Sequence, residues 1–296
     1  MRELSLDQLR TFQTVVALGG FTAAARRLNY SQSAVSTQIR ELERRLGVRL
    51  IDRVGKKAFA TAAGFRLLEH ARRIDREAED AVAAMKRHRQ GRLGRVRIGA
   101  QPSVATYVLP RLLQAVRRQY SDIEIIIRTG LTEDLAPLVA DNQLDLCVGT
   151  PPRIDRRLTV TALYDEPMFA VLPASARDAC DPLTPAGFEE HDLILDGVSW
   201  TDRTVRDWFW AAGIEAKPVM ELSYIEAIKN VVAAGLGVSV LPACVLEDRR
   251  DARDLVLCDL DPPITRPMVL VERRDRRDDP ALDIVRHAVL SLGEKG

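Results

Sequence analysis

The stretch SQSAVSTQIR, residues 31–40, gathers Ser31, Gln32, Ser33, Ser36, Thr37 and Arg40. Apart from the arginine these are short hydrogen-bonding side chains, poor solubilisers compared with Lys and Glu. They suit a helix that enters the major groove of DNA: short polar groups approach base edges closely, and an amide can read adenine with two hydrogen bonds. The free N–H groups of a helix start would hold a phosphate beside them.

The chemistry needs a helix with one buried face. Val35, Ile39, Leu42 and Leu46 recur at steps of four, three and four, one stripe of a 3.6-residue period. Ser31 is the expected N-cap and Gly47 the expected stop. Upstream, LSLDQLRTFQTVVALGG carries Leu6, Leu9, Phe12 and Val16 on one face and ends at Gly19-Gly20. FTAAARRLNY reads as a short second helix capped by Thr22. Helix, short Ala-rich helix, turn and polar-fronted helix make a helix-turn-helix layout; a generic three-helix bundle is the plainer alternative.

VRLIDRVGKKAFATAAG follows, with Arg49, Arg53, Lys56 and Lys57 among apolar residues and Gly55 permitting a tight turn. It reads as a two-stranded wing whose cations would lie along a phosphate backbone and make binding salt-dependent. Thr61 is placed to cap the next helix. Leu67, Ala71, Ile74, Ala78, Ala81 and Met85 then step by four, three, four, three and four. That heptad-like seam is the expected interface with the same helix of a second copy; packing within the chain is the alternative.

Charge follows the same division. Residues 1–95 hold 20 Lys/Arg against 10 Asp/Glu, and the remainder 23 against 32, within a total of +1. A basic first third on an acidic body suits a nucleic-acid reader joined to a separate module. A length of 296 residues suggests about two domains. The N-terminus has no apolar run of a secretory signal, and no apolar stretch is long enough to span a membrane, so a cytoplasmic location is expected. Cys147, Cys180, Cys244 and Cys258 form no C-x-x-C pair and read as reduced thiols.

After GRLGRVRIGA, strand-like and helix-like runs alternate: TYVLPRLLQAVRRQY, IEIIIRT, LTEDLAPLVADN, LDLCVG, then after LTVTALYDEPMFAVLP a second similar set. The alternation indicates an α/β region with a largely parallel sheet, in two lobes around a cleft, with the chain returning at its end.

Taken together, the chain resembles the LysR-type transcriptional regulators over essentially its whole length. FTAAARRLNYSQSAVSTQIRELERRLGVRLIDR is close to that family's winged helix-turn-helix signature, ATAAG to the opening of its linker helix, and GLTEDL, LDLCVG and VVAAGLGVSVLP to segments of its effector domain. The resemblance implies an α/β fold with an N-terminal winged helix-turn-helix over 1–61, a linker and dimerisation helix over 62–91, and a two-lobed, periplasmic-binding-protein-like effector domain over 92–296. Lobe 1 would take about 92–163 and 266–296, lobe 2 about 164–265. It implies homodimers assembling into homotetramers, double-stranded operator DNA as partner, RNA polymerase as a further candidate partner, and no membrane. A metabolite is expected between the lobes at Gln101, Ser103, Thr132, Thr150 and Thr201, short hydrogen-bonding residues near strand ends or helix starts, where α/β folds place ligands. The helix starts favour a small polar, anionic effector; no other cofactor, metal site or catalytic residue is expected. Ser33 stands where the family commonly has proline, Thr37 where a basic residue is frequent, Ile51 for a phenylalanine and Ala60 for a leucine; the first two bear on which bases are read.

Two other classes remain to be weighed. A solute-binding module without a DNA role would fit the last two thirds alone, but not the basic N-terminal region. An enzyme would need a nucleophile, metal or phosphate motif; His70, His88, His191 and His287 sit in none.

Overall fold

The computed structural model describes residues 4–55, 57–89, 94–179, 182–197, 199–246, 254–276 and 278–293. Lys56 and Cys180 therefore lie outside the described residues, as does the end of the expected linker at residues 90–91. The chain separates into two compact units, Met1–Gln90 and Gly91–Gly296.

The first unit consists of α1 (Leu6–Leu18), α2 (Phe21–Leu28), α3 (Gln32–Leu46), a hairpin of β1 (Ile51–Val54) and β2 (Lys57–Ala60), and α4 (Ala62–Arg89). Its core joins Leu9, Phe12 and Val15 of α1 to Ala24 and Ala25 of α2, Val35, Ile39 and Leu42 of α3, and Leu68 and Ala71 of α4. Three expectations are corrected here. Leu46 is exposed, because α3 runs past the core before Gly47 ends it in the left-handed conformation. Leu6 is also exposed, and Val15 rather than Val16 is fully buried. Gly20, not Thr22, precedes α2, so Thr22 falls inside the helix. The Thr61 hydroxyl accepts from the Gly64 N–H at 3.0 Å, capping α4 as expected. A β-carbon on Gly64 would stand 2.1 Å from the Leu50 carbonyl oxygen, so α4 can approach the residue before β1 this closely only without one.

In the second unit a sheet runs in the order β4-β3-β5-β11-β6-β9-β7-β8, with β10 on β6. The strands are β3 (Gly94–Ala100), β4 (Ile123–Thr129), β5 (Leu146–Gly149), β6 (Leu158–Pro173), β7 (Leu193–Leu195), β8 (Met220–Glu221), β9 (Val238–Pro242), β10 (Leu255–Cys258) and β11 (Thr265–Arg273). The βα repeats are parallel, as β3 is with β4 and β5, and β7 with β8 and β9. The strands joining the two halves are antiparallel. β6 pairs with β11 through residues 158–167 and with β9 and β10 through 168–173.

Helices α5 (Leu109–Gln119), α6 (Thr132–Ala140) and α9 (Pro280–Leu290) belong to the first half, and α7 (Trp200–Ala211) and α8 (Ile225–Ala233) to the second. The first half has two cores, one under α5 and α9 with Val96, Ile98 and Leu270, the other under α6 with Leu135, Val139 and Val271. The second half packs Trp208, Phe209 and Phe188 edge to face over β6, β7 and β9. A π-helical turn, Val104–Val108, links β3 to α5.

Candidate functional site

The two sites expected from the sequence each lie within one unit. In the first, the Ser31 hydroxyl accepts from the Ala34 N–H at 3.1 Å and fixes the start of α3. Ser31, Gln32, Ser33, Thr37 and Arg40 are exposed, with Ser36 half-buried between them, opposite the Val35–Ile39–Leu42 stripe. The wing is built onto this face. Arg53 of β1 stacks 4.0 Å from the Phe21 ring centre and donates to the Ser36 hydroxyl at 3.5 Å. Arg40 donates to the Thr37 hydroxyl at 3.4 Å. Lys57 is exposed at the start of β2, across from Val54, with Gly55 at φ 61° in the turn. Further along α3, Arg44 and Arg45 are engaged by Glu41, whose carboxyl they hold down to about 2. The cations nearest the polar face are thus Arg40 and Arg53, with Lys57 on the wing.

The α4 seam divides. Ala71 is fully buried, and Leu67 and Ile74 pack on the same core, so α1 occupies that part of the seam within one chain. Arg10 and Gln13 of α1 bind the Asp75 carboxylate at 2.9 and 2.6 Å and tighten the contact. This corrects the expectation that Ala71 faces a second copy. A heptad spacing reports an apolar face without saying whose face it meets. Ala78 is half-buried, whereas Ala81 and Met85 are exposed, as is Val82, which the stripe omitted.

In the second unit all five expected effector residues are buried. Three converge. The Gln101 amide donates to the Thr150 hydroxyl at 2.9 Å, and a β-carbon on Gly149 would stand 2.3 Å from the Thr132 hydroxyl and 3.0 Å from Gln101 Cγ. Ser103 is turned elsewhere: its hydroxyl accepts from Arg266 at 3.1 Å. Arg266 is also paired with Glu166 at 2.6 Å, both almost fully buried, and the second Glu166 oxygen accepts from the Cys244 N–H at 2.9 Å. Thr201 sits in the first turn of α7, and Arg203 of that turn reaches Glu133 of α6 at 3.3 Å, so the two helix starts face one another.

Among the described residues of this unit, three buried polar atoms have no hydrogen-bond partner: Gln101 Oε1, the Thr132 hydroxyl and Asp202 Oδ1. Sequence reasoning missed Gly149, Asp202, Arg203 and Arg266. Gly149, ending the strand LCVG before Thr150, carried a local signal; the others become visible only through pairing distant in sequence.

Cys147 and Cys244 are free thiols. Burial pushes Cys147 up to about 12, so it stays protonated and unreactive at neutral pH. Cys258 is disulfide-bonded, which corrects the reading of all four cysteines as reduced thiols; sequence spacing does not tell which thiols meet in space. No helix among the described residues is long and apolar enough to cross a membrane.

A winged helix-turn-helix with a polar recognition face, joined to a two-lobed α/β body with unsatisfied buried polar atoms, defines a DNA-binding regulator that senses a small molecule. Residues 6–65 match the bacterial regulatory helix-turn-helix protein of the lysR family and residues 89–292 the LysR substrate binding domain. The chain belongs to the LysR family: it is a DNA-binding transcriptional regulator with an effector-binding domain, not an enzyme. It is 32% identical to the RuBisCO operon transcriptional regulator of Allochromatium vinosum, over 97% of this chain and 96% of that one. It is 31% identical to the HTH-type transcriptional regulator CbbR of Sinorhizobium medicae, over 100% and 95%. In fold it is similar to full-length CbnR complexed with its target DNA, at TM-score 0.68 and 22% identity, covering 98% of this chain and 100% of that one.

Proposed function

We propose that Gln101, Thr132 and Thr150, faced by Thr201 and Asp202, bind a small polar, anionic metabolite that also carries a hydrogen-bond donor, and that this ligand tunes DNA binding by the Gln32 face. The observation that carries the reading is the set of partnerless buried polar atoms at Gln101, Thr132 and Asp202. An unsatisfied buried polar group is costly unless something binds it. Thr132 opens α6, whose free N–H groups favour an anion; of the two acidic residues in that turn, Glu133 and Asp134, the first is paired with Arg203. The Gln101 and Asp202 oxygens are acceptors and call for a donor. Ser103 is left out of this site, because its hydroxyl is taken by Arg266. The chemistry of this metabolite is independent of what the similar proteins' names refer to.

A thermal-shift screen of metabolites on the full chain finds the ligand, and titration of Thr132→Val tests the site. The valine strands a ligand oxygen, so affinity is expected to fall by about 1–3 kcal/mol, roughly 5- to 150-fold. DNA binding of the ligand-free chain stays unchanged. Neutral apolar hits, or wild-type affinity in the variant, would overturn the reading.

The same proposal places winged helix-turn-helix, linker and effector domain at 1–61, 62–91 and 92–296, in a cytoplasmic homotetramer that also meets RNA polymerase. Its dimer seam is the exposed stretch at Ala81, Val82 and Met85, with Ala78 beside it. Val82→Glu with Met85→Glu is expected to lower the sedimenting mass without lowering the thermal midpoint of the winged unit. Ile74→Asp, packed on the core, is expected to lower both, because an unpaired charge is placed against apolar partners. Unchanged assembly in the double variant would remove α4 from the interface.

A further inference from the structure

One side chain organises the connection from the recognition helix to the wing. Glu43, in the last turn of α3, is half-buried. Its backbone carbonyl accepts from the Gly47 N–H at 2.8 Å, and Gly47 then turns the chain in the left-handed conformation, at φ 70°. Its side chain reaches across that turn. One carboxylate oxygen, Oε1, accepts from the Leu50 N–H at 2.8 Å and from the Ile51 N–H at 3.2 Å. A carboxylate is a stronger acceptor than a neutral group, and both bonds fall at the root of β1.

The two strands of the wing are held differently. Ala58 of β2 is buried in the core, and its N–H donates to the Gly19 carbonyl at 2.9 Å. β1 is buried only at Ile51; Asp52, Arg53 and Val54 are exposed. The next side-chain bond from β1 to α3 among the described residues is that of Arg53 to the Ser36 hydroxyl, at 3.5 Å. Ser36 and Glu43 are separated by about two helical turns and so share one side of α3. β1 therefore runs beside α3 with two clamps, the carboxylate at Ile51 and the guanidinium at Arg53. A shift of the strand at Ile51 is carried to Arg53, and with it the spacing between Arg53 and the Gln32 face.

We propose that Glu43 is a positioning residue for DNA binding: through the Leu50 and Ile51 N–H groups it holds Arg53 where a phosphate meets it while α3 reads the bases. This rests on Arg53 being a phosphate contact. The charge of Glu43 acts in the opposite direction. A carboxylate near a polyanion repels it, so removing the charge would by Coulomb's law alone tighten binding. Removing the clamp is expected to weaken it.

The test measures the affinity of the full chain for a random-sequence duplex across salt concentrations, which needs no knowledge of the operator because phosphate contacts are sequence-blind. Arg53→Ala is expected to lower the slope of log affinity against log salt by about one. Glu43→Ala is expected to lower it by the same amount, and the double variant by no more than either alone, since both changes remove the same contact. Two further variants separate reach from charge. Glu43→Gln keeps an oxygen at the same reach without the charge, and is expected to bind at least as tightly as wild type. Glu43→Asp keeps the charge but stops short of the two N–H groups, and is expected to bind as Glu43→Ala does. A purely structural role would lower the thermal midpoint of the winged unit and leave the slope alone. With Arg53→Ala effective, an unchanged slope in Glu43→Ala, an additive double variant, or tighter binding by Glu43→Asp than by Glu43→Gln would each overturn the assignment of Glu43 alone. A wild-type slope in Arg53→Ala would overturn it together with the phosphate contact on which it rests.

Discussion

Arg266→Met is expected to lower the stability of the effector unit by about 3–5 kcal/mol, because it leaves Glu166 ionised and buried with its counter-charge gone. In a unit of this size that corresponds to a fall of roughly 6–20 °C in the melting midpoint. The loss of Coulomb attraction is only part of the effect; the uncompensated carboxylate dominates, since both side chains are almost fully buried. Adding Glu166→Gln to Arg266→Met removes the stranded charge and keeps an acceptor for the Cys244 N–H, so most of the stability is expected to return. Glu166→Leu in its place would leave that N–H unmatched, at about 1–3 kcal/mol. Calorimetric melts of the two double variants separate the contributions. A single variant that melts like wild type would show that the pair is hydrated rather than buried.

Gln32→Ala is expected to weaken binding to the preferred operator by about 1–3 kcal/mol, roughly 5- to 150-fold, while binding to random DNA hardly changes. Gln32 is exposed in the first turn of α3, directly after the Ser31 cap, with Ser36 and Thr37 on the same face. Its amide has no role in holding the helix, so its loss removes base reading without unfolding the reader. Arg53→Ala should behave differently. Arg53 stacks on Phe21 and reaches Ser36 from the wing, so a phosphate contact made there is sequence-blind. Its loss should weaken all sequences alike and lower the slope of log affinity against log salt by about one. Mobility-shift titrations of both variants across salt concentrations, on specific and scrambled duplexes, decide between the roles. Equal losses on both duplexes for Gln32→Ala would make it a positioning residue.

The polar face of α3 was legible because nothing but local periodicity places it. Val35, Ile39 and Leu42 bury one side, and Gln32, Ser33, Thr37 and Arg40 opposite them are exposed, with Ser36 half-buried. The Ser31 and Thr61 caps and the Gly47 stop were legible for the same reason. Leu46 was misread because the period continues in the sequence after the core has ended. The α4 stripe shows the limit more sharply: its apolar repeat was visible, but its assignment to α1 as far as Ile74 depends on where α1 comes to lie. In the effector unit the resemblance located five buried polar residues but not their partners. Ser103 meets Arg266, and Arg266 meets Glu166, only because β6 and β11 run antiparallel; in the sequence those charges look like the solvent side of an alternating strand. Lys229 is a similar case, a buried amine satisfied by Glu226, Tyr107 and the Val245 carbonyl.

The path of β6 and β11 also orders events during synthesis. The second half of the effector unit, from Met168 to Ile264, is continuous in sequence and can close its sheet as soon as β10 leaves the ribosome. The first half cannot. β11 lies between β5 and β6 in the sheet, pairing Val269 with Gly149 and Val271 with Val160, so until residues 265–273 emerge β5 and β6 each present an unpaired edge. Such edges recruit other strands. A chain ending just before Thr265 would thus carry a finished DNA reader and a finished half-sensor beside an open sheet. It would be prone to aggregate while still able to find DNA, and the pairing of β11 with both β5 and β6, not completion of the reader, is the step that closes the sheet.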